Sequence, residues 1–409
     1  MLRSLVRPDT FRKVGEVNVL FFSHDVDLSE TLDGKPYDRL LDSITEICTI
    51  RGMNNAHVAH PYSVITGMSS WAGHYQMNRA SIIAAVFRKG KLSRLADSYS
   101  QSIYRKILLL AQPKIVFTIG LPAALCRAAR SLGIEIVEVL HGKGYPTVPW
   151  GWEKRLDSEL PSTVLALDAV SFHTFSSLNT RGVRVIFVED FWLKRFASGQ
   201  DSMLPTEWQF PEALPLDQKH VVLVSLQWGS NKDYEAGSEF DNILENGFLP
   251  PAIMDAIVGS HQDVLWLLRL HPVQLRSDRR KNVQEFMREL ELANPNVEWQ
   301  ISTERPLPSI LSRVTRHATM NSATAVEAAE MGVPTALLCP TLAEGQINGE
   351  LFSDLRTSGF AKHFELKDAE TLLQWIREPL PLPPNSAPKG CISIDTAIDL
   401  LLAGNIDER

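Results

Sequence analysis

The sequence predicts an α/β protein built from two Rossmann-like domains that face each other across a cleft, and three observations predict it. The chain has 409 residues, 44% of them hydrophobic and 22% charged, whereas a single core stops growing at roughly 250–300 residues. Short apolar runs bounded by polar loops alternate with stretches of helical spacing, the pattern of a parallel sheet covered on both faces. That alternation breaks once, between Phe196 and Lys219, where Ser198-Gly199-Gln200-Asp201-Ser202 is followed by Pro205, Pro211 and Pro215, the composition of a linker.

The first domain, residues 1–200, begins with a polar segment and the run Val17–Phe22, a buried strand that ends in the polar loop Ser23-His24-Asp25. Leu40–Ile50 has helical spacing. Further strands are expected at Ile115–Ile119, Ile134–Leu140, Val164–Leu167 and Val183–Val188, with a helix, Ala123–Leu132, between the first two. The second domain, residues 215–380, repeats the scheme. It holds the strand Val221–Leu226, a helix near Pro251–Val258, the strand Val264–Leu270 and a charged helix from Ser277 to Ala293. A strand at Val297–Ile301 and a helix Ala323–Met331 follow, and Gly332-Val333-Pro334 leads into the strand Thr335–Cys339. A closing helix, Ile394–Leu402 within residues 390–405, is free to return to the first domain.

Composition excludes several classes. Against 41 Lys and Arg stand 48 Asp and Glu, a net charge of −7, which lacks the electrostatic footprint of a general nucleic-acid binder. Cys48, Cys126, Cys339 and Cys391 lie far apart with no CxxC pair and no His at metal spacing, so they read as reduced thiols, and no metal is expected. The basic N-terminus has no unbroken apolar core, and no stretch approaches the roughly 20 apolar residues of a membrane span. A cytoplasmic location follows as the expectation. The cluster Arg88, Lys89, Lys91, Arg94, Tyr104, Arg105 and Lys106 reads either as a solvated helix face or as a peripheral contact with an anionic membrane surface.

Chemistry concentrates where polar loops follow strands, because ligands bind outside the carboxyl ends of open parallel sheets. In the second domain Asn321, Ser322 and Thr324 precede a helix, where free N–H groups favour a phosphate, and Glu327 one turn later suits a ribose hydroxyl. The competing reading is a simple N-cap. Arg269 and His271, ahead of Pro272, offer cationic donors to the same anion. Gln227-Trp228-Gly229-Ser230-Asn231-Lys232-Asp233 supplies a carboxylate for nucleophilic or base catalysis, a cation for a substrate carboxylate, and orienting amides. In the first domain, His24-Asp25 and the segment from His141 and Lys143 to Trp152 and Glu153 combine cations, glycines and aromatic faces suited to a sugar. Glu159 adds a carboxylate to this group.

Together, the His271-Pro272 pair, the Ser322/Thr324 helix start and the loop Gln227 to Asp233 resemble GT-B-type bacterial glycosyltransferases that use CMP-activated acidic sugars. Within that group the resemblance is to the retaining β-Kdo transferases of capsule and O-antigen assembly. It implies Asp233 as the nucleophile, with Gln227, Ser230, Asn231 and Lys232 around it, and His271, Arg269, Asn321, Ser322, Thr324 and Glu327 on CMP. It also implies an acceptor glycan or lipid-linked glycan at His24, Asp25, His141, Lys143, Trp152 and Glu153, with Glu159 as base, and no cofactor or metal. Alternatives share the framework: a metal-independent sialyltransferase or glycerophosphate transferase, a UDP-sugar 2-epimerase, or a non-catalytic scaffold of polysaccharide assembly.

Overall fold

Among the described residues fifteen strands, nearly all parallel, carry the alternation read from the sequence. The protein is described by a computed structural model over residues 9–24, 30–60, 73–77, 93–197, 204–211, 219–226, 244, 249–276, 280–381 and 390–403. The strands are β1 (Val19–His24), β2 (Glu30–Leu32), β3 (Lys35–Tyr37), β4 (Asn55–His60), β5 (Gly73–Gln76), β6 (Ile115–Thr118), β7 (Glu135–Val139), β8 (Thr163–Ala166), β9 (Arg184–Phe187), β10 (His220–Ser225), β11 (Val264–Arg269), β12 (Val297–Glu298), β13 (Arg316–Thr319), β14 (Thr335–Leu337) and β15 (Ala361–His363). One sheet has the order β5-β4-β1-β6-β7-β8-β9 and the other β12-β11-β10-β13-β14-β15. Each is a Rossmann-like order: the chain steps outward from its first strand, then returns to that strand's other side. The two switch points therefore lie at β1/β6 and β10/β13.

The chain divides into two units. The first comprises Met1–Lys194 with Ala387–Arg409, and the second Arg195–Ser386. The closing helix, Ile394–Ala403, thus belongs to the first unit. Arg51 holds it through Asp395 at 2.6 Å and Asp399 at 2.8 Å, and Ile392 forms a parallel bridge with Val188 beyond the β9 edge.

Burial explains the strands. In β10, Val222 and Val224 pack into one hydrophobic layer with Trp266 and Leu268, while Val221 and Leu223 pack into the opposite layer with Ala328 and Val333. Both faces are covered, so the sequence shows a continuous apolar run rather than alternation. The expected strand Val297–Ile301 ends early for a local reason. The buried Glu298 carboxylate accepts the N–H groups of Ile301 and Ser302 and starts the helix Gln300–Glu304. The β2–β3 hairpin turns on Asp33 and Gly34, both at positive φ, the geometry of a type I′ turn. Sequence reasoning also passed over β4, β5, the helix Ser93–Ala111, β15 and the helix Ala369–Arg377.

Candidate functional site

The second unit brings the ends of three strands, each followed in sequence by a singled-out segment, to one edge. Ser225 at the end of β10 pairs with Arg269 at the end of β11 and with Thr319 at the end of β13. The loops that follow are those beginning at His271, at Gln227 and at Met320-Asn321-Ser322. Neighbouring strands lie about 4.8 Å apart, so three consecutive exits span roughly 10 Å around the switch point. Gln227, Ser230, Asn231, Lys232 and Asp233 lie outside the described residues.

A buried polar chain ties the β10 and β13 exits to each other and to β14 from below. The His317 Nε2 stands 2.9 Å from the Ser225 hydroxyl and its Nδ1 3.0 Å from the Thr335 hydroxyl, while the Thr319 hydroxyl donates to the Ser225 carbonyl at 3.0 Å. Burial pushes the His317 pKa down to about 3, so the imidazole is neutral, one nitrogen donating and the other accepting. Three strands are therefore locked together directly beneath the switch point.

At the β13 exit, the Thr324 N–H donates to the Ser322 hydroxyl at 3.3 Å, a local contact just ahead of the helix. The helix that follows, Thr324–Glu330, is only seven residues long. The Thr324 hydroxyl oxygen is buried and makes no hydrogen bond, although buried polar atoms ordinarily have a partner. Glu327 is buried one turn into this helix at 9% exposure. His271 opens the helix Pro272–Arg276, and its N–H donates to the Gln274 side chain at 2.7 Å.

Arg269 differs from its expected role as an anion ligand. One of its guanidinium nitrogens donates to the carbonyls of Ser302 and Arg305, each at 2.6 Å. The side chain closes the C-terminus of the helix Gln300–Glu304, where a cation is favourable.

In the first unit the expected acceptor residues separate. His24 ends β1, and Asp25 lies outside the described residues. The Lys143 ammonium is 2.8 Å from the Asp190 carboxylate, the two side chains only 4% and 7% exposed. Asp190 also caps the helix Phe191–Ala197, accepting from Trp192 N at 3.0 Å and Leu193 N at 2.9 Å. Burial alone would raise the Asp190 pKa, but the Lys143 ammonium and the Leu193 N–H hold it below the ordinary carboxylate value. Glu159, expected as a base, has both oxygens engaged: one accepts from the Arg127 guanidinium and the other from Leu156 N at 3.2 Å. Trp152, expected at the surface, is core at 1% exposure, with its ring edge-on to Phe175 at 5.8 Å. Glu153 is exposed. Two buried carboxylates that sequence reasoning passed over tie down the neighbouring loops. Glu138 accepts from Gly120 N at 2.8 Å and Leu121 N at 3.2 Å, and Asp168 from Gly144 N at 3.1 Å and Ser171 N at 2.9 Å.

Among the described residues no group of three or more His, Cys, Asp or Glu side chains is arranged to hold a metal ion, and no helix is long and apolar enough to cross a membrane.

No protein-family model matches the sequence, and no curated protein matches it. Solved structures do resemble the fold. UDP-GlcNAc 2-epimerase from Neisseria meningitidis, bound to UDP-GlcNAc, aligns with a TM-score of 0.57 at 13% identity, covering 94% of this chain and 99% of that one. UDP-GlcNAc 2-epimerase from Methanocaldococcus jannaschii aligns at 0.54 and 11% identity with the same coverage. MurG from Acinetobacter baumannii aligns at 0.51 and 12%, again over 94% and 99%. These likenesses establish the two-unit α/β fold of the GT-B type.

Proposed function

We propose that this chain is a glycosyltransferase that moves Kdo from CMP-β-Kdo to a sugar acceptor of a bacterial surface polysaccharide, with retention of configuration. One observation carries the reading: β10, β11 and β13 end side by side at the β10/β13 switch point, with Thr324, whose buried hydroxyl has no partner, just past the β13 end. A phosphate oxygen of CMP is a suitable acceptor for that hydroxyl, with His271 and Ser322 from the flanking exits. Glu327 would meet the cytidine ribose.

In the first step an Asp233 carboxylate oxygen bonds to the anomeric carbon as the bond to the CMP phosphate breaks, the electron pair leaving with CMP. Lys232 lowers the repulsion between that carboxylate and the sugar's own. In the second step the acceptor hydroxyl oxygen attacks the same carbon, the bond to Asp233 breaks, and the hydroxyl proton passes to water or a base. No metal or cofactor enters. The acceptor is a glycan or lipid-linked glycan reached from the cytoplasmic side, and the helix Ser93–Ala111 supports a peripheral membrane contact by exposing Arg105, Lys106, Leu109 and Leu110.

A second reading, a UDP-sugar 2-epimerase, is favoured by the likeness to two such enzymes over nearly the whole chain. One experiment separates them. Incubation with CMP-Kdo should give a Kdo-sized mass increase on the intact protein that Asp233→Ala abolishes, and CMP rather than UDP should raise the melting temperature. Stabilisation by UDP alone, with interconversion of UDP-GlcNAc in the absence of an acceptor, would establish the epimerase instead.

A further inference from the structure

Pro149-Trp150-Gly151-Trp152 forms a tight turn in which Trp152 N donates to the Pro149 carbonyl at 3.3 Å. Both central residues have positive φ, 58° at Trp150 and 68° at Gly151, the signature of a type I′ turn. Asn, Asp or Gly ordinarily fills its first central position, because a bulky side chain there crowds its own backbone. Strain of this kind persists where the surroundings or a function requires it.

The neighbouring rings hold Trp150 in place. His141, two residues past the end of β7, stacks on it with centroids 5.7 Å apart at 28°. Tyr145 meets it edge-on at 5.5 Å, and Trp152 lies tilted beneath at 5.6 Å. Even so, Trp150 is 43% exposed while Trp152 is 1% exposed. On a side chain of roughly 250 Å² this leaves about 100 Å² of aromatic surface facing water, close to the area of one pyranose face. The loop beneath it is fixed, since Asp168 caps Gly144 at 3.1 Å and the Thr174 hydroxyl donates to the Tyr145 carbonyl at 2.7 Å. A rigid indole at a sheet's carboxyl edge, held in an unfavourable backbone conformation and half open to solvent, can receive the C–H face of a sugar at little ordering cost.

We propose that Trp150 is the stacking platform for the acceptor sugar, a neutral pyranose at the carboxyl edge of the first unit. This rests on the glycosyltransferase reading, but its test does not need the donor identified. Trp150→Asn removes the indole while supplying an Asn-Gly pair that favours the same turn, and Trp150→Phe retains an aromatic face. Saturation-transfer NMR of the intact protein with methyl β-galactoside and methyl β-N-acetylglucosaminide should show ring-proton contacts for at least one sugar in the wild type. Affinity for that sugar should fall roughly tenfold or more in Trp150→Asn and by no more than about threefold in Trp150→Phe. The melting shift produced by CMP, which reports on the second unit, should be the same in all three proteins. Absence of binding by the wild type to either sugar would overturn the proposal, as would equal sugar binding by Trp150→Asn or loss of the CMP shift in parallel with sugar binding. If the wild type binds sugar but CMP stabilises none of the proteins, the platform stands and the CMP-donor reading falls.

Discussion

Lys143 decides between two accounts of the first unit, because its sequence context suggests an acceptor ligand and its contacts suggest a structural ion pair. At the observed 2.8 Å from Asp190, an effective dielectric of about 20 gives a gross attraction of roughly 6 kcal/mol. Both side chains are nearly inaccessible, so Lys143→Met removes the nearest counter-charge of a buried carboxylate that keeps the N–H groups of Trp192 and Leu193 and the more weakly acting Arg39, a change that costs about 3–5 kcal/mol. For a unit of this size each kcal/mol moves the melting temperature by about 2–4 °C, so the transition should fall by roughly 6–20 °C. Asp190→Asn keeps an oxygen for the N–H groups of Trp192 and Leu193 but removes the negative charge that the ammonium faces, and should cost a similar amount. The double variant should lose clearly less than the sum, with a coupling of about 2 kcal/mol or more.

The pH dependence has a definite sign. Asp190 is held below its ordinary carboxylate value, so its contribution is complete above the unfolded value of about 3.9 and disappears as pH falls through the folded value. The gap between wild type and Lys143→Met should therefore be largest at neutral pH, begin to shrink where the variant's buried carboxylate, no longer held down by Lys143, takes up a proton, and close as pH falls through the wild-type folded value. Differential scanning calorimetry across pH 3–8 measures both effects. A Lys143→Met transition within about 2 °C of wild type at neutral pH, with additive double-variant losses, would refute the ion-pair account.

Two further variants probe the remaining assignments. Glu159→Gln should leave the rate of sugar transfer within about twofold and cost at most about 1 kcal/mol, because the carboxylate is half of a partly exposed pair with Arg127; a loss of several orders of magnitude would restore it as a catalytic base. Thr324→Val should leave the ligand-free protein equally stable or more stable by about 1 kcal/mol, since it removes a buried hydroxyl without a partner, while weakening CMP binding in a calorimetric titration. A destabilised, normally binding Thr324→Val protein would contradict that use of the hydroxyl.

Much of the sheet framework was legible because fully buried parallel strands write themselves as apolar runs, and the loops after β10 and β11 were legible because polar residues abruptly follow them, whereas β13, Arg316–Thr319, has no apolar run to mark it. Partners were not. Arg127 meets Glu159 across 32 residues and Arg269 meets Arg305 across 36, so a carboxylate or guanidinium read as a ligand was already committed to a contact no local pattern records. The two tryptophans of the 149–152 turn show the same limit at short range. Trp150 and Trp152 are the same residue type two positions apart, and only the left-handed backbone at Trp150 sends one ring outward while the other fills the core. The Asp33-Gly34 turn, by contrast, carried a recognisable signal in its residue pair.

The carboxyl edges of the two sheets are both held by buried polar groups. In the first unit Glu138, Asp168 and Asp190 fix loops by accepting backbone N–H groups, and the Lys143 ammonium offsets the charge of Asp190. In the second unit the strands at the switch point end in Ser225, Arg269 and Thr319, fixed by a neutral His317 and by carbonyl acceptors. Hydroxyls and an imidazole set the spacing of the β10 and β13 ends, while β12 ends in the buried carboxylate Glu298, which accepts the N–H groups of Ile301 and Ser302. Within the net charge of −7, Arg195–Ser386 carries 26 Asp and Glu against 16 Lys and Arg, and the rest of the chain 22 against 25, so an anionic donor would be met by local hydroxyl and cationic groups rather than by the overall charge of its unit.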